Sequence, residues 1–209
     1  ETKGVRGEPM PGWPLAVDTL PLPFENPWKA LLFPGGHDFY PNGDIALCSM
    51  TGDVWRVSGV DDDLDVLRWR RVAAGLHQPL GLVVVDGLVC VLGRDQITRL
   101  HDLNGDGETD FYECLANGFA TPTGGHDFLC GLERDGAGNF YTVSGKDGLL
   151  KIGADGHAEV VASGFRNPDG LGLSPQGVLT APYSEGEWTP TSAVARIALH
   201  TSIPSIQCS

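Results

Sequence analysis

Twelve consecutive residues carry the densest chemistry in this chain: Asp102-Leu103-Asn104-Gly105-Asp106-Gly107-Glu108-Thr109-Asp110-Phe111-Tyr112-Glu113. Side-chain oxygens fall at positions 1, 3, 5, 9 and 12, a backbone carbonyl is available from Glu108 at position 7, and glycine occupies position 6, where the chain must turn sharply. Hard cations of calcium's size take six to eight oxygens at about 2.3–2.6 Å, and this spacing wraps oxygens round one point. Asp102, Asn104, Asp106, Glu108, Asp110 and Glu113 are therefore the expected calcium ligands, with an acidic solvated turn as the alternative. Position 8 is Thr109 where an aliphatic residue is usual, and the loop follows a strand-like run, Ile97 to Leu100, so a structural calcium site is expected and not a sensor of the paired helix–loop–helix kind.

Three further groups bear reactive or ligating side chains. His126 follows Gly124-Gly125 and is suited to general-base work near neutral pH. The same pentapeptide, Gly-Gly-His-Asp-Phe, recurs at His37, so a repeat feature tying neighbouring units is the competing reading. Arg166-Asn167 sets a guanidinium beside a carboxamide, a pair suited to a planar anionic or quinonoid ligand, with an ion pair between units as the alternative. Glu185-Gly186-Glu187, before Trp188, offers oxygens for a second hard cation or a solvated acidic loop.

These groups must be positioned by a repeated scaffold. Gly36, Gly81, Gly125 and Gly170 are spaced by 45, 44 and 45 residues. After each comes a short apolar run, a turn of the Asn42-Gly43 or Asp86-Gly87 type and a returning apolar run, which is hairpin chemistry because those turn residues tolerate positive φ. A period near 45 belongs to the blades of a β-propeller. The fold class expected is all-β: a propeller of four-stranded blades, about four of them present, as part of a larger, six-bladed ring. The divisions expected are an extended proline-rich lead-in over 1–28, blades over 29–65, 66–113, 114–162 and 163–197, and an irregular tail over 198–209. No segment has a 3.6-residue apolar stripe of helical length.

Composition excludes several classes. Glycine and proline make up 44 of 209 residues while 41% of the chain is apolar, which suits many short strands and tight turns. A net charge of −13 without a block of Lys and Arg argues against nucleic acid as a partner. No apolar run reaches the length of a membrane span. Five scattered cysteines form no CxxC and no haem-attachment motif; Cys48 and Cys90 sit in apolar runs as small buried hydrophobes, and a Cys114–Cys130 bridge is left open. Phosphate-loop, serine-elbow and zincin motifs are absent.

The stretch from Gly164 to Gly177, Gly-Phe-Arg-Asn-Pro-Asp-Gly-Leu-Gly-Leu-Ser-Pro-Gln-Gly, resembles the G-x-RNPxGL…P-x-G segment of the soluble quinoprotein glucose/sorbosone dehydrogenases. The stretch from His126 to Gly145 resembles the strand that begins with that family's catalytic histidine. From about Pro23 to Pro190 the chain is similar to the sorbosone-dehydrogenase-like propellers of planctomycete and verrucomicrobial secreted proteins, often joined to a haem-binding domain. The resemblance implies a pyrroloquinoline quinone (PQQ) cofactor with calcium, a sugar or aldehyde substrate, an external cytochrome-type electron acceptor and a periplasmic or secreted location. It implies His126 as base, Arg166 and Asn167 as quinone contacts, and Glu185 with Gly186 as calcium ligands. The family's remaining cofactor-binding Lys and Arg residues lie in later blades, the Glu185 match needs a one-residue shift, and Glu187 stands where a proline is expected. Two rival functions remain: a glycan- or protein-binding propeller using Trp55, Trp69 and Trp188, and a metal-dependent lactonase with Glu185 and Asn167 as metal ligands.

Overall fold

The computed structural model describes residues 1–9, 11–12, 14–119, 127–186 and 189–198. All regular structure in them is β: β1 (Pro34–Phe39), β2 (Ile45–Ser49), β3 (Val54–Ser58), β4 (Arg68–Ala73), β5 (Gly81–Val85), β6 (Leu88–Leu92), β7 (Ile97–His101), β8 (Phe111–Ala116), β9 (Cys130–Arg134), β10 (Phe140–Ser144), β11 (Gly148–Ile152), β12 (Ala158–Ala162), β13 (Gly172–Leu173), β14 (Val178–Tyr183) and β15 (Ala193–Ala198). They form four antiparallel meanders, β1 to β4, β5 to β8, β9 to β12 and β13 to β15. Every strand ladder runs within a meander, as the expected hairpins require. The fourth blade shows three strands among the described residues.

Tight turns close the hairpins at the expected residues. Asp86 and Gly87 both take positive φ, 52° and 82°, as a two-residue turn of the primed type demands. Connections after odd-numbered strands gather on one rim, here the lower, and those after even-numbered strands gather on the upper.

Inner strands lie side by side at their glycines. A Cβ on Gly36 would sit 2.9 Å from the Gly81 Cα, one on Gly81 2.7 Å from the Leu132 nitrogen, and one on Gly131 2.6 Å from the Leu171 nitrogen. In the third blade this contact is made by Gly131, and the expected anchor Gly125 lies outside the described residues. The first copy of the Gly-Gly-His-Asp-Phe repeat lies in an inner strand, β1, whereas Asp127 and Phe128 of the second precede β9.

The core is a series of slabs between blades. Ala46, Cys48 and Val54 meet Leu82, Val91 and Leu100 of the second blade, and Cys90, Leu92 and Ile97 meet Leu132, Phe140 and Leu150 of the third. Tyr141, Val143 and Leu149 meet Leu179, Ala181 and Ile197 of the fourth. Strand β10 is buried along its whole length because alternate residues serve two different slabs. Each fully buried Leu, Ile or Val contributes about 1.5–3 kcal/mol, so blades are stable only when stacked.

The first blade's remaining face is covered by the lead-in. Thr2 and Leu67 exchange backbone hydrogen bonds at 3.0 and 2.8 Å, Gly4 N–H donates to the Leu64 carbonyl, and Leu20 packs with Leu64 and Leu67. Trp55 is buried against Trp28, ring centroids 5.6 Å apart and 77° between planes, and the guanidinium of Arg71, the cross-strand partner of Trp55, lies 4.4 Å over the Trp28 ring. Burial removes Trp55 as a glycan platform. Trp188 lies outside the described residues.

Residues 61–65, Asp-Asp-Asp-Leu-Asp, form a loop inside the first blade, because β4 follows them and pairs with β3. The expected boundary at 65/66 thus cuts a blade. Strand β4 reads Arg-Trp-Arg-Arg-Val-Ala, whose charge hides its strand character. Cys48, Cys90 and Cys130 are buried free thiols, Cys114 an exposed one. Desolvation pushes Cys48 and Cys130 up to about 12, so they are inert packing groups. Among the described residues no helix is long and apolar enough to cross a membrane.

Candidate functional site

On the upper rim, connections from three blades meet. Arg166 and Asn167 lie between β12 and β13, and Glu185 and Gly186 between β14 and β15. Arg166 Nη1 donates to the Glu185 carbonyl, and a Cβ on Gly186 would collide with the guanidinium, so glycine is what lets the arginine lie flat across this loop. Ser184 N–H donates to the Arg166 carbonyl at 2.9 Å, and Glu185 N–H to Ser192 Oγ at 3.0 Å.

His126 falls outside the described residues, but its neighbour Asp127 is placed. Asp127 Oδ1 accepts the Gly145 N–H at 2.8 Å, and a Cβ on Gly145 would lie 3.1 Å from that oxygen and 3.5 Å from the Asn167 nitrogen. The segment after His126, the β10–β11 turn and Asn167 are thereby contiguous. From the second blade, Arg94 Nη1 donates to Gln78 Oε1 at 3.0 Å, its Nη2 lies 3.5 Å from the Asp127 carbonyl, and its guanidinium stacks 4.8 Å over the Phe128 ring.

Arg94, Gln78 and Asp127 belong to this rim and were not singled out by type and spacing. One signal was present in the sequence: Gln78-Pro79 and Asn167-Pro168 recur at matching places in two blades. Both pre-proline residues take left-handed backbone, φ 46° and 42°, a region that costs a non-glycine residue energy and is enriched where side chains are aimed at ligands.

On the lower rim, residues 102–110 coil on themselves. Asp102 accepts N–H groups of Gly105 and Gly107, each at 2.7 Å; Asn104 Oδ1 accepts from Asp106 at 2.8 Å, and Asp106 Oδ1 from Glu108 at 2.9 Å. Asp110 Oδ2 accepts from Leu103 at 2.7 Å and from Asn104 at 3.2 Å. Gly107 takes φ 83°, the turn its position requires. Glu113 is not brought to this loop. It stands on β8, accepting from His101 Nε2 at 2.8 Å and Arg99 Nη1 at 3.3 Å, and the His101 hydrogen bond draws its carboxyl below the usual range. The physical reason is the exit element: a strand advances about 3.3 Å per residue and carries position 12 away, where a helix would turn it back.

Among the described residues no three His, Cys, Asp or Glu side chains converge as a metal-holding cluster. A cation at this loop would rest on Asp102, Asn104, Asp106 and Asp110 with the Glu108 carbonyl, without a bidentate glutamate. The loop also fastens two blades: Thr109 N–H donates to the Val72 carbonyl at 2.8 Å, Arg70 donates to the Asp106 carbonyl, and Tyr112 Oη lies 3.1 Å from the Ala74 carbonyl.

The chain matches no protein-family model. It matches no curated protein. Solved structures share its fold. A putative oxidoreductase (glucose dehydrogenase) of Thermus thermophilus aligns with a TM-score of 0.62 at 18% identity, over 80% of this chain and 63% of that one. The PQQ-bound aldose sugar dehydrogenase of Streptomyces coelicolor aligns with a TM-score of 0.64 at 18% identity, over 81% and 61%. A gluconolactonase of Xanthomonas campestris aligns with a TM-score of 0.55 at 14% identity, over 81% and 59%. The chain thus spans about three-fifths of the length of these structures. At such identities the likeness establishes the fold: this chain is an all-β arrangement of propeller blades, of the architecture used by sugar dehydrogenases and gluconolactonases.

Proposed function

We propose that this chain supplies blades of a PQQ- and calcium-dependent dehydrogenase-type propeller that acts on a sugar or sugar-derived aldehyde, with the upper rim as its ligand face. The observation that carries the reading is the meeting of Arg94, Asp127, Gly145, Asn167 and Arg166 from three blades, with Asp127 following His126 in the sequence. Two guanidinium groups on one rim, in a chain of net charge −13, suit a planar polyanion.

The residues fit the quinone better than its metal. Arg166 and Asn167 are disposed to bind and orient a planar carboxylated ring, and Arg94 adds positive potential. The Glu185 carbonyl, an expected calcium ligand with Gly186, already accepts the Arg166 guanidinium, so a cation does not fit there beside the guanidinium. Calcium is assigned instead to the lower-rim loop, in a structural role. When bound, the quinone would supply the two-electron oxidation. His126 would take the substrate proton on an imidazole nitrogen, Asp127 accepts the Gly145 N–H of the β10–β11 turn, and electrons would leave to an external cytochrome-type acceptor. A periplasmic or secreted location accords with such an acceptor.

Dye-linked oxidation of glucose or sorbosone by the chain supplied with PQQ and calcium tests this, with loss of at least a hundredfold in His126→Ala. Turnover of a sugar lactone without quinone would favour the lactonase reading, and glycan binding that survives both His126→Ala and Arg166→Ala would favour a binding module.

A further inference from the structure

The lower rim holds a concavity of about 530 Å³ between the first two blades. That volume is in the range of small-molecule sites. Its first-blade wall carries three arginines, Arg56 on β3 with Arg68 and Arg70 on β4; Val72, Val89 and Leu100 supply apolar surface, and Ser58 and Thr109 hydroxyl groups. Arg56 and Arg70 are direct cross-strand partners, and Ser58 pairs with Arg68. Like charges placed opposite one another cost stability, a cost the Asp44 carboxylate on Arg56 offsets.

Of the three, Arg56 has the close carboxylate partner. Asp44 Oδ2 lies 2.7 Å from its Nε and 2.6 Å from its Nη2, and the guanidinium covers Tyr40 at 4.4 Å. Arg70 donates to a neutral carbonyl, that of Asp106. Arg68 approaches the Glu1 carboxylate at 3.6 Å, with both side chains about two-thirds exposed (64% and 68%), where an ion pair contributes little. The acidic groups of the concavity are Asp44, held by Arg56; Asp102, turned to the Gly105 and Gly107 amides; and Glu108.

We propose that this groove is a binding site for a small anion of monosaccharide size, with Arg68 and Arg70 as the forks that take its carboxylate or phosphate and the Ser58 and Thr109 hydroxyls facing its polar body. A guanidinium binds such groups through two parallel N–H donors, and both arginines line the groove, Arg70 with Nη2 on the Asp106 carbonyl and Arg68 with Nε toward Glu1. The site is separate from the upper rim and needs no quinone.

Calorimetric titration of the chain with glucuronate, glucose 6-phosphate and glucose tests it. Glucuronate or glucose 6-phosphate binds at least tenfold more tightly than glucose, and which of the two binds better tells a carboxylate site from a phosphate site. Arg68→Ala weakens the anion at least tenfold and Arg70→Lys severalfold, while Arg166→Ala leaves it unchanged. Should Arg68→Ala shift the melting temperature, Ser58→Glu, which sets a carboxylate in the groove, weakens the anion to the same degree. Equal binding of glucose and both anions overturns the proposal, as does unaltered affinity in Arg68→Ala and Ser58→Glu. Loss in Arg166→Ala moves the ligand to the upper rim and overturns it too.

Discussion

The two rims of this propeller build their chemistry differently. The lower-rim loop takes its oxygens from nine consecutive residues, 102 to 110, whose own backbone amides hold the carboxylates in place. The upper rim takes Arg94 from the second blade, Asp127 and Gly145 from the third, and Arg166, Asn167 and Glu185 from the fourth. A contiguous site needs only local turns, whereas a dispersed one exists only while inner strands keep their spacing. Disturbing that spacing should therefore destroy the upper rim first, and disturbing a loop should affect one rim alone.

The largest effect is expected from Gly81→Val. Its side chain would press on the Leu132 nitrogen and force β5 from β9, and overpacking of this kind costs about 1–3 kcal/mol or more. Denaturant unfolding should show that loss, with quinone binding reduced in proportion. Next comes Gly107→Val on the lower rim. It combines φ 83° with a clash against the Arg70 guanidinium, and a cost of about 1–2 kcal/mol is expected from the backbone alone. Calcium should cease to raise its melting temperature, while quinone binding on the other rim persists.

For the unaltered chain, a site with four side-chain ligands and no bidentate glutamate belongs among the weaker calcium loops, with Kd of about 10⁻⁴–10⁻³ M. Calcium at about twenty times Kd stabilises by about 1.8 kcal/mol, so chelation should lower the melting temperature by about 4–7 °C, read by calorimetry. An identical melt with and without calcium would remove the metal from the lower rim.

The smallest effect lies between the rims, at Glu133 on β9. Burial, and next the Asp38 charge, raise its carboxyl above the usual range. The folded chain then holds this proton more tightly than the unfolded chain, so stability falls as pH rises through and above the ordinary glutamate range. Glu133→Gln should raise the melting temperature at pH 7 and raise it less at pH 4, where the native carboxyl is already protonated in larger part.

Much of this was legible in the sequence, and the failures share a cause. Asn42-Gly43 and Asp86-Gly87 mark hairpins because the turn residues themselves determine local geometry, and the 45-residue period follows from repeating that unit. Gly131 was hidden because Gly125 kept the period better, although what matters is which glycine meets Leu171 across a blade boundary. Strand β4 was hidden because Arg68 and Arg70 line the groove while Arg71 lies against Trp28 and Asp53, so charge occupies both faces and no apolar alternation is left. Glu113 fitted the spacing of a loop that leaves by a helix, and here the loop leaves by a strand. Arg94 belongs to the upper rim through tertiary contact alone, which no spacing within its own blade encodes.

The most direct measurement is equilibrium titration of the chain with PQQ, followed by quinone absorbance, for the unaltered protein and Arg166→Ala. Saturable binding that weakens at least tenfold in the variant, with calcium stabilisation intact, is the predicted result. Absence of saturable binding, or equal affinity in both proteins, would contradict the assignment of the upper rim as the quinone face.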